Sequence, residues 1–309
     1  MNQTRALIEG AIMASVYAVL FLITLYIPLL SIVSTFFLSI PFTLYTIRNG
    51  LKKSYLLVAV AIVLSVLLGS IATIFIPILY GAVGVVLGYL IKKKKSAFAL
   101  LLGATLAYIS NLLLTYIISI MLLDVNIVDG VLKQINELIS NTERIGKTFG
   151  TDVSEAIDQL QNLLEVITYI IPALIVLVAV FSAFISIFVT NLILKRFKIE
   201  VPDWRPFREW SFPKSIIWYY LATMLIMFTD PEQGSGLYIA TVNLYMILET
   251  VMVIQGFSFI YFYFWVKKKG KTIPVLVTIG AFLVPIGFYV VRILGIIDIG
   301  FDLKKRIKA

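Results

Sequence analysis

Four places in this sequence set ionisable or hydrogen-bonding side chains among almost uniformly apolar neighbours. Glu249 is the most deeply placed acid, in a stretch that also carries Asn243 and Gln255, and Arg292 lies in the following stretch. A charge at membrane depth costs roughly 2.5–3.5 kcal/mol on insertion scales, so a carboxylate there needs a cation, a water-filled cavity or a bound proton. The chemistry open to Glu249 is therefore a structural ion pair, a neutral buried acid, or a proton or cation relay. Counting about 1.5 Å of rise per residue leaves Glu249 and Arg292 about 10 Å apart in depth, which the length of arginine only partly bridges. Elsewhere, Asn111 is flanked by Tyr108 and Tyr116 at offsets of three and five, and Glu165 and Tyr169 share a helix face four residues apart. Tyr108, Asn111, Tyr116, Glu165 and Tyr169 together suit a small-molecule pocket. The plainer alternative is an interhelical hydrogen bond at Asn111 and a solvated Glu165.

The residue types that are missing narrow the chemistry further. The chain has no histidine and no cysteine, so histidine bases, thiol nucleophiles, disulfides and most zinc and haem sites are excluded. Gly81, Gly84 and Gly88 lack the lysine and hydroxyl of a nucleotide loop and read as helix packing contacts. No close acidic pair sits at membrane depth. The sequence therefore predicts no catalytic residues, no metal and no cofactor, and a protein that is not an enzyme.

The elements that position these residues are membrane helices. Of the 309 residues 60% are hydrophobic and 14% charged, mean hydropathy is +0.99, and the charges bunch between runs long enough to cross about 30 Å of hydrocarbon. The expected fold is all-α, a polytopic transmembrane helical bundle of about nine spans, with eight as the alternative. The runs are Ala6 to Ile27, Leu29 to Thr46, Ser54 to Gly69, Ile71 to Ile91, Ser96 to Leu122, Leu163 to Leu194, Ser215 to Phe228, Leu237 to Val266 and Thr272 to Ile297. Gly69-Ser70 separates the third from the fourth, and the seventh is short. The N-terminal run lacks a cleavage site and reads as a retained first helix rather than a signal peptide.

Short basic loops stay in the cytoplasm. Arg5, Arg48 to Lys53, Lys92 to Lys95, Lys195 to Lys214 and Lys267 to Lys271 then fall inside, as does the N-terminus. The segment Asp124 to Glu165, with eight acidic and three basic residues, falls outside. One conflict remains. Nine spans send the basic tail Lys304 to Lys308 outside, and eight move Lys267 to Lys271 there instead. The outer segment reads as a helical hairpin, with an apolar stripe from Ile127 to Ile139, an interruption at Gly146 to Gly150, and a second helix opened by Asp152 and Glu155 in capping-box order. The hairpin either covers a cavity or lies on the membrane. Trp204 to Trp210 interleaves aromatics with cations, as an interfacial elbow does, with a partner-docking surface as the lesser reading. The organisation expected is a six-helix membrane domain over 1–197 that includes an outer insertion over 124–166, a cytoplasmic amphipathic elbow over 198–214, and a C-terminal three-helix extension over 215–309.

Two resemblances add to this. Gln255-Gly256 in an aromatic helix, a Gly-Pro-interrupted helix, and the ending Leu294-Gly295-Ile296-Ile297-Asp298-Ile299-Gly300-Phe301-Asp302-Leu303-Lys304-Lys305 resemble the YybS-like family of bacterial membrane proteins. The first six spans are similar, more distantly, to the S components of energy-coupling factor vitamin transporters. In that likeness Gly10, Ala14 and Ala18 form the small-residue face that meets a partner helix. The resemblance implies a substrate-binding membrane domain, although a related fold is also implied for a rod-shape accessory protein that transports nothing. This chain departs from the S components in its three extra spans and its outer hairpin.

Two functions remain open: binding or helping to transport a small molecule through the six-helix domain, and a non-transporting scaffold or regulator of membrane or envelope assembly. The expected partners are the lipid bilayer, a small-molecule ligand and a membrane protein on the first helix. The formal charge of +9 lies at membrane edges, where it fixes orientation and meets lipid head groups, and does not suggest nucleic acid. The expected location is the cell membrane.

Overall fold

In a bilayer every backbone polar group must be satisfied within the protein, so runs this apolar fold as helices. The computed structural model describes the backbone of residues 3–124, 126–150, 152–284 and 286–308, without the side chains of Leu122, Leu123, Ile127, Val128, Asn162, Leu163, Glu165 and Lys308. In chain order the helices are α1 (Gln3–Tyr26), α2 (Pro28–Thr35), α3 (Ile40–Asn49), α4 (Leu51–Leu68), α5 (Phe75–Lys92), α6 (Ala97–Leu123), α7 (Ile127–Phe149), α8 (Ser154–Arg196), α9 (Ser215–Met227), α10 (Gly236–Val266), α11 (Thr272–Leu283), α12 (Ile286–Phe301) and α13 (Leu303–Lys308). Among the described residues seven stretches are long and apolar enough to cross a membrane: α1, α2 with α3, α4, α5 with the turn before it, α6, α8 from Val166, and α10. The remaining apolar helices are shorter, with 13 residues in α9, 12 in α11 and 16 in α12.

The chain forms two compact units. The first holds residues 1–138 and 175–203, and the second 139–174 and 204–309. The second half of the outer segment thus belongs with the C-terminal helices. α8 runs unbroken from its start at Ser154 into the membrane, and Asp152 accepts from the Ser154 backbone N–H at 2.9 Å to cap it. α7 continues to Phe149, past the interruption expected at Gly146.

In the first unit, Ala14, Tyr17 and Phe21 of α1 pack with Leu38, Phe42 and Tyr45 around α3, Leu57 and Ala61 of α4 and Val85 of α5. Gly84 and Gly88 bring α5 onto α3 so closely that an added Cβ would strike the Ser39 and Thr43 carbonyl oxygens. Two residues of the small-residue face of α1 take part in this packing: Gly10 lies against the Tyr45 ring and Ala14 is in the core, while Ala18 is half-buried.

In the second unit, Tyr220 of α9, Leu248 and Met252 of α10 and Ile299 of α12 form one core, and Phe257, Ile260, Ala281 and Val291 form another. The ninth span expected over Thr272 to Ile297 is instead two helices. The break falls at Val284 to Ile286, where the sequence has Pro285, itself outside the described residues. Proline is a residue type that ends helices. α11 departs from the end of α10, with Thr278 beside Tyr261 and Phe282 stacked on Phe257. α12 comes back: Asp302 pairs with Lys214 at 2.6 Å, just before α9, and Lys304 donates to the Trp210 carbonyl. The elbow is pinned at that same end of α10, with Phe207 edge-on to Tyr261 and Arg208 over Trp265. α11 and α12 therefore form a helical hairpin that starts and finishes near one end of the unit, in place of one continuous helix.

Candidate functional site

The strongest polar centre is in the second unit, where α10 and α12 cross. A Cβ on Gly256 would collide with the Val291 carbonyl oxygen, and one on Gly295 with that of Met252, so only glycines allow the helices this close. That approach brings Arg292 to Glu249: Arg292 donates Nη1–H to Glu249 Oε1 and also to the Tyr245 hydroxyl at 3.2 Å. The guanidinium lies over the Tyr289 ring, 4.8 Å from its centroid. Tyr220 stacks on Tyr245 and donates to its hydroxyl at 3.4 Å. The side chains keep 18% of their surface for Arg292 and 36% for Glu249, so the carboxylate is reachable from outside the protein. The 10 Å gap counted along the sequence assumed two parallel crossings, which the hairpin replaces.

Nearer the start of α10, Asn243 acts on a backbone. Its Nδ2–H donates to the Tyr169 carbonyl and its Oδ1 accepts from the Ala173 N–H, both at 2.7 Å. Those two groups bond to each other in a regular helix, so the amide splices one turn of α8 beside Pro172, which lacks an N–H. Tyr169 is thereby a structural partner, and its ring also stands edge-on to Tyr238.

At the elbow end, fully buried Gln255 donates to Asp298 and accepts from the Phe212 N–H at 3.2 Å. Asp298 also accepts from the Lys304 N–H at 3.1 Å and faces the Lys304 ammonium at 3.6 Å. Lys304 Nζ in turn donates to Ser258 Oγ at 2.7 Å, and Ser258 donates to the Phe207 carbonyl at 2.6 Å. Burial pushes the Lys304 ammonium below its ordinary range. The network fastens elbow and tail to α10. Gln255 was legible as an intramembrane polar group. Asp298, Lys304 and Ser258 were not, although the first two stand in the closing motif.

The first unit holds Tyr108, Asn111 and Tyr116. Tyr108 is hydrogen-bonded to Ser186 at 2.6 Å, and buried Asn111 donates to the Ala107 carbonyl of its own helix at 2.6 Å. Tyr116 is half-buried on the same helix. The Glu165 side chain lies outside the described residues. Neither unit alone gathers Tyr108, Asn111, Tyr116, Glu165 and Tyr169, because the first three belong to one and the last two to the other. An apolar groove of about 330 Å³ in the first unit is lined by Phe37, Val189, Leu192, Ile193 and Arg196, and includes none of the five. Among the described residues no three acidic side chains group as a metal site would require.

These features define an all-helical, multi-pass integral membrane protein. The chain belongs to the DUF2232 family of predicted membrane proteins, whose family model matches residues 15–299. It is similar to the protein of Bacillus subtilis (strain 168) described as "Uncharacterized protein YybS", with 33% identity over 310 residues and 100% of both chains covered. The likeness read from the closing motif thus extends over the full length. No solved structure matches the chain.

Proposed function

We propose that this protein binds, and helps to move, a small charged molecule within the bilayer, without catalysing a reaction on it. One observation carries the reading: an arginine–carboxylate pair that remains partly exposed in a membrane helix pair. Ionisable side chains at such depth face a polar cavity or a bound group rather than lipid, since lipid returns none of their lost hydration. Tyr245, Tyr220 and Tyr289 add hydroxyls and aromatic faces that fit a small ligand at the same place. The reading moves the centre of recognition from the six-helix domain to α10 and α12.

Native mass spectrometry of the protein purified in mild detergent tests this. A bound small molecule present in wild type and lost in Glu249→Gln and Arg292→Gln is expected. Identical spectra from all three, with no bound species, would overturn it. The scaffold reading is favoured by the hydrogen bonds that Tyr108, Asn111, Asn243 and Gln255 make within the protein, and predicts a recoverable protein partner whose capture survives both substitutions.

A further inference from the structure

Several hydroxyls in the helices of the first unit turn back onto their own helix. Ser15, Thr24, Thr35, Thr43, Thr46 and Ser54 of the first unit all donate to a carbonyl four residues earlier. Ser39, Thr105 and Thr190 are exceptions. Their side-chain oxygens are buried without a hydrogen-bond partner, and the residues keep only 0%, 8% and 1% of their surface. The Asn191 Oδ1 atom, beside Thr190, is buried and unpartnered as well.

These residues occupy equivalent places. Tyr108 bonds to Ser186 at 2.6 Å, and Tyr80 of α5 lies beside Thr35 and Tyr108, so these side chains mark one level across α2, α5, α6 and α8. Ser39 lies four residues beyond Thr35, Thr190 four beyond Ser186, and Thr105 three before Tyr108. Each step runs toward the same end of the unit, where Arg48 lies over Phe197 and Lys94 pairs with Glu200 at 3.2 Å. About one helical turn from that level, three helix segments therefore each contribute an unsatisfied hydroxyl. No acidic or basic side chain belongs to that turn, so an ion would find no counter-charge. A neutral molecule with both donor and acceptor capacity suits the groups, and buried polar atoms left unpaired by protein are the usual seat of ordered water.

We propose that Ser39, Thr105, Thr190 and the Asn191 side-chain carbonyl hold ordered water inside the first unit, one turn from the Tyr108–Ser186 hydrogen bond. The site is independent of the Glu249–Arg292 centre. Water-edited solid-state NMR of the full-length protein in lipid bilayers tests it directly. Transfer from water should reach Thr105 and Thr190 faster than Thr43 and Thr46, which are as deeply buried but bonded to their own helix; equal or slower transfer would overturn the proposal. A second readout is thermal. With water bridging the hydroxyls, Thr105→Val and Thr190→Val each lower the melting temperature by about 2–4 °C, and Thr→Ser at the same positions retains most of it. An unchanged or raised melting temperature in the valine variants would mean the hydroxyls are simply unpaired, and the water site does not exist.

Discussion

The side-chain amide of Asn243 clasps one turn of another helix, accepting from the Ala173 N–H and donating to the Tyr169 carbonyl at 2.7 Å each. Removing it unpairs two backbone groups where no water replaces it, a loss of roughly 1–3 kcal/mol. Asn243→Leu should lower the melting temperature accordingly. Pro172→Ala, by allowing α8 to close its own ladder, should recover part of that loss in the double variant. Strict additivity of the two would argue against the splice.

Removing one member of the Glu249–Arg292 pair leaves the other charge uncompensated at membrane depth. Buried pairs lose about 3–5 kcal/mol in this way, and the partial exposure here reduces the expected cost to roughly 1–3 kcal/mol. Arg292→Met and Glu249→Leu should each destabilise the protein, and the double variant should be more stable than either. Chemical denaturation in detergent measures all three.

Gly256 and Gly295 meet backbone carbonyls across the α10 and α12 crossing, whereas Gly280 of α11 has nothing within 4 Å. Gly295→Ala and Gly256→Ala should force the helices apart and cost about 1–3 kcal/mol by overpacking. Gly280→Ala should be neutral or slightly stabilising, since alanine is the better helix former. Expression level and melting temperature of the three variants provide the comparison.

The helical hairpin makes a topological prediction that the lack of cysteine renders easy to check. Single cysteines placed at Gly270 and Arg306 should be labelled by an impermeant thiol reagent from the same side of the membrane. Labelling from opposite sides would restore a full ninth crossing.

Acid should loosen the end of α12 before it disturbs the membrane helices. The hydrogen bond from Lys214 holds the Asp302 carboxyl below the usual carboxylate range. A depressed carboxylate stabilises the fold above its unfolded pKa near 3.8 and loses that contribution as pH falls through the lower folded value. A fluorophore at Arg306 should therefore report release of the tail below about pH 4. Asp302→Asn should be released already at neutral pH and show no such step.

Much of this was written in the composition and order of the residues. Long apolar runs with basic ends specify helices and a membrane because hydrocarbon accepts no unpaired backbone, and that condition acts locally, run by run. The lone charges Glu249 and Arg292 and the amides Asn243 and Gln255 stood out for the same reason: each is costly where it sits. Partnership is a different matter. Whether Glu249 meets Arg292 depends on two glycines, 39 residues apart in the chain, that let α12 cross α10, and on a break that turns one expected crossing into a hairpin. Asn243 stood out only as an intramembrane polar group, and its bonds to Tyr169 and Ala173 come from the packing of α10 on α8. Asp298 and Lys304 sit near the chain's end, where charge is unremarkable in a sequence, and only their burial against the elbow gives them a role. Burial, register and the choice of hydrogen-bond partner are properties of pairs of helices, and a single chain read end to end fixes the helices but not the pairs.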